Sequence, residues 1–183
     1  MGATPLMTVQ EFMQLPEVEG QRMELIEGRV VTADQKDERG VITHEWVKSN
    51  LIALLGDWTH RHTSLKLFSG TTFQLDEQNA RTSDVALMSR SRKPVDMNGL
   101  LQGAPELAIE VVSSEKAADL SAKVGLFLAH GSESVWVAYP DQKEIWIFNT
   151  SRQGRLFEEN QVLEDPAVLP GFSTPVSAIF EGI

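Results

Sequence analysis

The sequence predicts an α/β domain in which a mixed β-sheet is covered by helices. Short apolar runs of strand-like composition occur before and after two longer segments in which apolar residues recur at helical spacing. The chain has 183 residues, of which 42% are hydrophobic, which is enough for one sizeable core and too little for two independent ones. We therefore expect one domain over residues 1–183, with its core at about 22–150.

Composition limits the kind of site and the location of the protein. The chain has no cysteine, so a metal would be held by oxygen or imidazole ligands, and a reducing cytoplasm is the expected compartment. No apolar run approaches the roughly 20 residues that span a bilayer, and residues 1–9 do not resemble a secretion signal. The formal net charge of −10 argues against a broad electrostatic surface for nucleic acid. Any DNA contacts are therefore expected to be local, metal-bridged or shared with a partner.

The N-terminal elements are marked by capping and turn signals. Thr8 and Glu11 form a capping-box pattern, which predicts a short helix over residues 9–15 that ends before Pro16. Two β-prone runs, separated by Gly28, predict a hairpin or bent strand. These runs are residues 22–27 and 29–32.

The longest predicted helix covers residues 44–62, where apolar residues recur at helical spacing and Thr43 is the expected N-cap. The polar residues 33–40 before it are expected to form a loop. Strands follow, several of them apolar enough to be buried on both faces. They are residues 65–68 and 72–75, joined at Ser69 and Gly70, and then 85–88 and 107–112.

A second helix follows these strands and is expected to use Ser113 or Ser114 as its cap and to end near Gly131. Its apolar face contains Leu120, Val124, Phe127 and Leu128. Strand-like runs complete the chain. They are the pair 134–139 and 144–149, and an edge hairpin over 155–163.

Two carboxylates and one lysine indicate chemistry. Glu110 lies inside the apolar run LAIEVV, where a carboxylate is costly unless it is paired or bound to a cation. Asp84 precedes another apolar run, and if the two strands are neighbours the carboxylates converge on one site that can bind Mg²⁺. Lys123 lies at the border of the inward face of the second helix, from which it can polarise a water or stabilise a phosphorane-like transition state.

At these residues the chain resembles the Uma-type restriction-endonuclease-like proteins of bacteria, a branch of the PD-(D/E)XK nuclease superfamily. The resemblance runs from Arg22 to Phe180, and it implies a restriction-endonuclease-like fold with additional N-terminal and C-terminal β-hairpins. It lies in the order and spacing of several stretches. They are RMELIEG, TSDVALM, LAIEVVSSEKAADLSAKVGLFLAHG, SVWVAYPD and LPGFSTPVSAIF.

The resemblance implies roles for individual residues. It makes Asp84 and Glu110 metal ligands for Mg²⁺ or Mn²⁺, with the backbone carbonyl of Val111 as a third ligand. The usual lysine position, two residues after the glutamate, is Val112 here, and Lys123 matches a lysine that has moved to the following helix. The remaining matches are Glu24 as an early acidic site residue, Glu27 as its fallback, and His44 as an accessory residue that assists substrate binding or orients a water.

Each assignment has a structural alternative. Asp84 would instead cap a turn, Glu110 would form a buried salt bridge, and Lys123 would pair with Asp119 on its own helix. Glu24 would lie on a solvated strand face. A basic patch around the Asp84 strand is either a set of phosphate contacts or a group of solubilising loop residues. It comprises Arg81, Arg90, Arg92 and Lys93.

Two functions follow from these readings. The first is a metal-dependent DNA endonuclease, expected to act as a homodimer because cutting both strands of a duplex calls for two sites related by a twofold axis. The alternative is a catalytically silent nuclease-fold module that binds nucleic acid or protein, which the acidic net charge favours. The enzyme requires Asp84, Glu110 and Lys123 to converge in one cleft.

Overall fold

The computed structural model describes residues 6–16, 18, 22–33, 38–62, 64–92, 100–113 and 116–183. The helices in these ranges are α1 (Val9–Phe12), α2 (Glu38–Arg61), α3 (Ala117–Ala129) and α4 (Val176–Ile179). The strands are β1 (Arg22–Ile26), β2 (Arg29–Ala33), β3 (Leu65–Gln74), β4 (Ala80–Ser89), β5 (Leu101–Gln102), β6 (Leu107–Val111), β7 (Ser134–Tyr139), β8 (Glu144–Asn149), β9 (Gly154–Phe157), β10 (Val162–Leu163) and β11 (Thr174–Pro175).

One large mixed sheet organises the molecule. Within the described ranges its strand order is β2-β1-β4-β6-β7-β8-β9, with β3 beside β4 and β5 beside β3, while β10 and β11 form a separate pair. β6 and β7 are parallel and are connected through α3, as a parallel pair requires, whereas β4 is antiparallel to β1, β3 and β6. The predicted α/β class with a mixed sheet is confirmed, and hairpins β1–β2 and β8–β9 lie at its two ends.

The two main helices cover opposite faces of this sheet. On one face, Leu51 and Leu55 of α2 pack in a cluster with Ile109 and other buried sheet residues. On the other face, Phe127 of α3 packs in a cluster with Ala108. Because side chains alternate along a strand, Ile109 and Ala108 point into different cores. Each large apolar side chain removed from water in this way stabilises the fold by about 1.5–3 kcal/mol.

The predicted start of α2 is wrong. The helix begins at Glu38, so Thr43 lies inside it, and part of the predicted loop 33–40 is helical. Val41 and Ile42 are exposed in this first part of the helix. An exposed turn leaves no apolar periodicity in the sequence, which explains why the pattern marked only the buried part of the helix.

β3 and β4 are both longer than predicted. β3 is one continuous strand, because Gly70 passes through the left-handed region with φ 56° and the strand resumes its pairing with β4 at Thr71. β4 begins at Ala80, so Asp84 lies in the middle of a strand and does not cap a turn. The polar residues before Asp84 hid this strand from the sequence pattern, although all of them are buried.

Three smaller predictions also change. The capping box of α1 is confirmed, but α1 ends at Phe12 and turns follow it before Pro16. The predicted edge hairpin over 155–163 is wrong, since β9 pairs with β8 while β10 pairs with β11. The N-cap of α3 is Lys116, which makes no side-chain capping bond, and Ser114 lies outside the described residues.

None of the helices described is both long enough and apolar enough to cross a membrane.

Candidate active site

A gap in the strand pairing of β4 creates the site. On one side, β4 pairs with β3 along its length. On the other side, β1 pairs with β4 at Leu25 and Ala80, and β6 begins to pair at Ile109 and Val85. The four β4 residues between these pairs, 81–84, therefore face a space between β1 and β6 that the described part of the chain fills with polar side chains.

Side chains replace the missing backbone pairing in this gap. The backbone N–H of Thr82 donates to Glu24 Oε1 at 2.7 Å, and the N–H of Val111 donates to Asp84 Oδ2 at 2.9 Å. Ser83 Oγ accepts from the N–H of Ile109 at 3.2 Å. Buried N–H groups must have partners, so these bonds satisfy the backbone and at the same time fix the positions of two carboxylates.

Asp84 and Glu110 meet across the gap. Val85 pairs with Ile109, and continuing this register by one residue places Asp84 opposite Glu110. Because side chains alternate along a strand, both carboxylates point to the same face as Ala86 and Ala108, which is the face covered by α3. Both residues are about 3% exposed. Two buried carboxylates in such positions repel each other unless a cation lies between or beside them.

Lys123 of α3 supplies a positive charge. Its Nζ lies 2.5 Å from Glu110 Oε2 and 3.8 Å from Glu24 Oε1. Leu120, Val124 and Phe127 anchor the same helix in the core, and the stem of Lys123 reaches from it to the gap between β1 and β6. Lys123 therefore forms its ion pairs with Glu110 and Glu24, and not with Asp119 as in the structural alternative.

The pKa values of Glu110 and Lys123 reflect three carboxylates that share one ammonium. Burial raises the pKa of Glu110 to about 8; the attraction of Lys123 opposes this shift, and the charges of Asp84 and Glu24 add to it. Burial alone would lower the pKa of Lys123, but the surrounding carboxylates outweigh it and raise the pKa. In an isolated salt bridge the lysine would lower the pKa of its carboxylic acid partner, whereas the pKa of Glu110 is raised. The single positive charge of Lys123 therefore does not compensate all the negative charge around it.

His44 joins the cluster from the opposite helix layer. It lies in α2, is 3% exposed, and its Nε2 is 3.0 Å from Asp84 Oδ2, while its Nδ1 is 3.1 Å from Glu45 Oε1. Burial alone would raise the pKa of Asp84, but the hydrogen bond and charge of His44, with further help from Lys123, hold it well below its usual range. Asp84 is therefore ionised and held in place by residues from both sides of the sheet.

Arg81 also lies in the cluster. It is 5% exposed, and its Nη1 is 3.5 Å from Glu24 Oε2. Arg90 and Arg92 lie beyond the opposite end of β4, where Arg90 donates to the carbonyl of Leu65 and Arg92 pairs with Glu106. Lys93 lies outside the described residues. The predicted basic patch is therefore divided between two places, and only Arg81 is brought to the carboxylates.

Glu27 does not join the cluster. It is exposed in the β1–β2 turn with φ 48°, and its backbone N–H donates to Asn79 Oδ1. Glu24, three residues earlier, is the early acidic residue that approaches Lys123. The solvated-face alternative for Glu24 is therefore wrong, because its side chain is 13% exposed and bonded on both oxygens.

The donor atoms suit a hard divalent cation. Within the described ranges, no three His, Cys, Asp or Glu side chains are arranged as a ready ligand set. Glu110 Oε1, however, is buried and has no hydrogen-bond partner among the described residues. This buried carboxylate oxygen has no donor among the described residues and lies beside the ionised Asp84. A hard cation such as Mg²⁺, which prefers oxygen ligands, would bind most favourably in such a place.

The sequence pattern missed two contacts of this site. It gave His44 no partner, whereas the structure places it on Asp84, and it gave Ser83 no role in the site. The hydroxyl of Ser83 instead bridges β4 to the backbone of Ile109. The available signal was the helical spacing of His44 to Val47 and Leu51, three and seven residues later, which places this histidine on the buried face of the helix.

Residues 9–177 match the model of the Uma2 family, which is described as "Putative restriction endonuclease". The chain belongs to this family. A solved structure described as a "putative nuclease belonging to DUF820", from Anabaena variabilis ATCC 29413, matches with a TM-score of 0.80 at 19% identity, over 95% of this chain and 97% of that one. This similarity shows that the Uma2 chain has a restriction-endonuclease-like fold.

Other comparisons add little. A structure described as a DrdV–DNA complex matches 79% of this Uma2 chain and 14% of that chain, at 13% identity and a TM-score of 0.36. A similarity at that level supports no argument about function. A comparison with curated proteins gives no match.

Proposed function

We propose that the protein is a metal-dependent endonuclease that hydrolyses phosphodiester bonds of DNA. The observation that carries this proposal is the convergence of Asp84, Glu110, Glu24 and Lys123 in the gap between β1 and β6. Membership of a family described as restriction endonucleases supports the same chemistry. We also propose that residues 1–183 form one domain with its core at about 22–150.

The carboxylates would hold the metal. Asp84, Glu110 and the carbonyl of Val111 are the residues that would bind Mg²⁺ or Mn²⁺. The bound ion would supply Lewis acidity at the phosphoryl group and would lower the pKa of a bound water. The N–H of Val111 and His44 both donate to Asp84, so its carboxylate is oriented before any substrate arrives.

Lys123 and Glu24 act on the substrate side. The ammonium of Lys123 would orient the attacking water and stabilise the negative charge that develops on the phosphoryl oxygens. Glu24 would hold Lys123 in position, since it is itself fixed by the N–H of Thr82 and by Arg81. Arg90 and Arg92, beyond the opposite end of β4, would contact phosphates away from the reacting group, and Lys93 stays a phosphate contact predicted from the sequence.

The acidic surface requires local contacts with DNA. The net charge of −10 opposes long-range attraction to a polyanion, so the bound metal and Lys123 would supply most of the positive charge at the reacting phosphate. Two such sites in a homodimer would serve the two strands of a duplex. The homodimer and the cytoplasmic location stay predictions from the sequence.

The test is cleavage of supercoiled plasmid and of single-stranded DNA with Mg²⁺ or Mn²⁺, beside an EDTA control. The variants are Asp84→Asn and Glu110→Gln, with Glu133→Gln as a matched control because Glu133 is an exposed glutamate outside the cluster. We expect metal-dependent cutting that both site variants lose and the control keeps. Cutting that persists in Glu110→Gln would contradict the proposed site.

A second candidate is a catalytically silent module that binds nucleic acid or protein. The observation that favours it is that Lys123 already pairs with Glu110 Oε2, so this carboxylate has a cationic partner without a metal. DNA binding that is measurable in EDTA, with no cleavage under any metal condition, would favour this candidate over the enzyme.

A further inference from the structure

Lys123 has two carboxylate partners that are held in different ways. It is close to Glu110 at 2.5 Å and more distant from Glu24 at 3.8 Å. Glu24 is fixed from behind, because its Oε1 accepts the N–H of Thr82 and its Oε2 faces Arg81. Glu110 has no comparable support, since its Oε1 has no hydrogen-bond partner among the described residues and its Oε2 accepts from Lys123 itself. The better-fixed carboxylate is therefore the one that Lys123 contacts less closely.

This asymmetry bears on cation binding. The ammonium occupies an oxygen of the carboxylate that would have to bind a metal, so Lys123 and a divalent cation compete for Glu110. A lysine ammonium on a flexible four-carbon stem can change partners by rotation about its side-chain bonds. The alternative partner is already in place and only 13% exposed, so the exchange needs no movement of the backbone.

We propose that Glu24, fixed by Arg81 and Thr82, is a positioning residue that receives the Lys123 ammonium when Glu110 exchanges it for a divalent cation. This inference rests on the proposed function and deepens it. Glu24 lowers the cost of the exchange, because without it the near carboxylates of the displaced ammonium would be Asp84 and Glu110, which would both bind the cation. After the exchange Lys123 remains beside the metal ligands, where the reaction requires it.

The test is the dissociation constant for Mn²⁺, measured by calorimetry on the full chain without DNA. The proteins are wild type, Glu24→Gln, Lys123→Met and the double variant. We expect Glu24→Gln to weaken Mn²⁺ binding by about tenfold and Lys123→Met to strengthen it, a coupling of the size found for residues in contact. In the Lys123→Met background, Glu24→Gln should change the constant by less than about threefold, because no ammonium remains to be received.

A Glu24→Gln effect of equal size in both backgrounds would overturn the inference, since it would mean that Glu24 acts on the metal directly. Lys116→Met is the matched control, because Lys116 is exposed at the start of the same helix, and it should leave Mn²⁺ binding unchanged. If the variants fold poorly, Mg²⁺ titration of wild-type protein with labelled lysine side chains gives a second readout by NMR. A Lys123 resonance that does not shift on saturation would also overturn the inference.

The same experiment distinguishes this inference from the proposed function. Mn²⁺ binding that Glu110→Gln abolishes supports the proposed metal site whatever the outcome of the double-variant cycle. Additive effects in the cycle would then reject the role of Glu24 alone. Wild-type protein that binds no Mn²⁺ would reject both.

Discussion

We expect replacement of Glu110 by glutamine to stabilise the metal-free protein while it abolishes cleavage. The side chain is 4% exposed, has one oxygen without a hydrogen-bond partner in the described part of the chain, and lies among the charges of Asp84 and Glu24. Removing one partner of an isolated buried ion pair is strongly destabilising, because it leaves the other charge uncompensated. Here Lys123 keeps Glu24 as a partner at 3.8 Å, and the substitution removes one of three like charges that repel one another, so we expect a net gain of about 1–2 kcal/mol, the energy of about one pKa unit.

The gain should depend on pH in a defined direction. The pKa of Glu110 is raised from 4.5 to about 8 in the folded state, chiefly by burial. An acid whose pKa is raised by folding destabilises the folded state once the pH exceeds its unfolded value. Wild-type stability should therefore fall as the pH rises from about 4.5 toward 8, and the advantage of Glu110→Gln should be small at pH 5 and largest near pH 8.

The assay is urea unfolding in EDTA, followed by tryptophan fluorescence from pH 5 to pH 8. Comparison of midpoints at equal slope gives the change in the free energy of unfolding. Glu133→Gln serves as control and should stay within about 0.5 kcal/mol of wild type, as exposed substitutions do. A Glu110→Gln protein that is less stable than wild type, or whose advantage does not vary with pH, would refute the reasoning.

Three further predictions concern other parts of the fold. His44→Gln keeps a hydrogen-bond donor for Asp84 and should therefore retain more cleavage activity than His44→Ala. Both variants should lose turnover rate and remain folded. Equal losses of activity in the two variants would argue against a positioning role for His44. Trp136→Phe should lower the free energy of unfolding by about 1–3 kcal/mol, because it leaves the buried carboxylate of Asp165 without the indole donor; an unchanged denaturation midpoint would contradict this. Burial alone would raise the pKa of Asp76, but a backbone N–H and neighbouring side chains donate to its carboxylate and lower the pKa. The melting temperature of wild type should therefore exceed that of Asp76→Asn at pH 6. This difference should shrink below pH 3.8 as the carboxylate becomes protonated.

The sequence predicted the helices and strands whose buried apolar residues recur at regular spacing. The periodic residues Val47, Leu51 and Leu55 marked the packed part of α2, and the apolar run over β6 marked a strand buried on both faces. The exposed first turns of α2 have no such pattern, and the polar first half of β4 reads as a loop although it is buried. Burial of polar residues depends on partners from distant elements, which local pattern does not contain.

The sequence allowed us to select most residues of the candidate site, but it did not show which of them contact each other. A carboxylate in an apolar strand is visible in the sequence, which is why Glu110 and Asp84 could be selected and why the resemblance could add Lys123 and Glu24. The contact between His44 and Asp84 joins two helix layers through the gap in the sheet. That gap exists because β1 stops pairing at Ala80 and β6 starts at Val85, and no sequence pattern records where two strands cease to be neighbours.

The gap also explains how a charged cluster can exist in the centre of the sheet. A continuous ladder along β4 would satisfy the N–H groups of the strands with carbonyls and would leave no donors for Glu24 or Asp84. Because the ladder is interrupted, Thr82 and Val111 donate to these carboxylates instead, which offsets part of the cost of burying them. Within the ranges that the structure describes, no backbone N–H donates to Glu110 Oε1, so the charge of Glu110 is the least compensated of the three and depends on a cation. The interruption of the sheet therefore stabilises two carboxylates in fixed positions and leaves the third available for exchange between Lys123 and a metal.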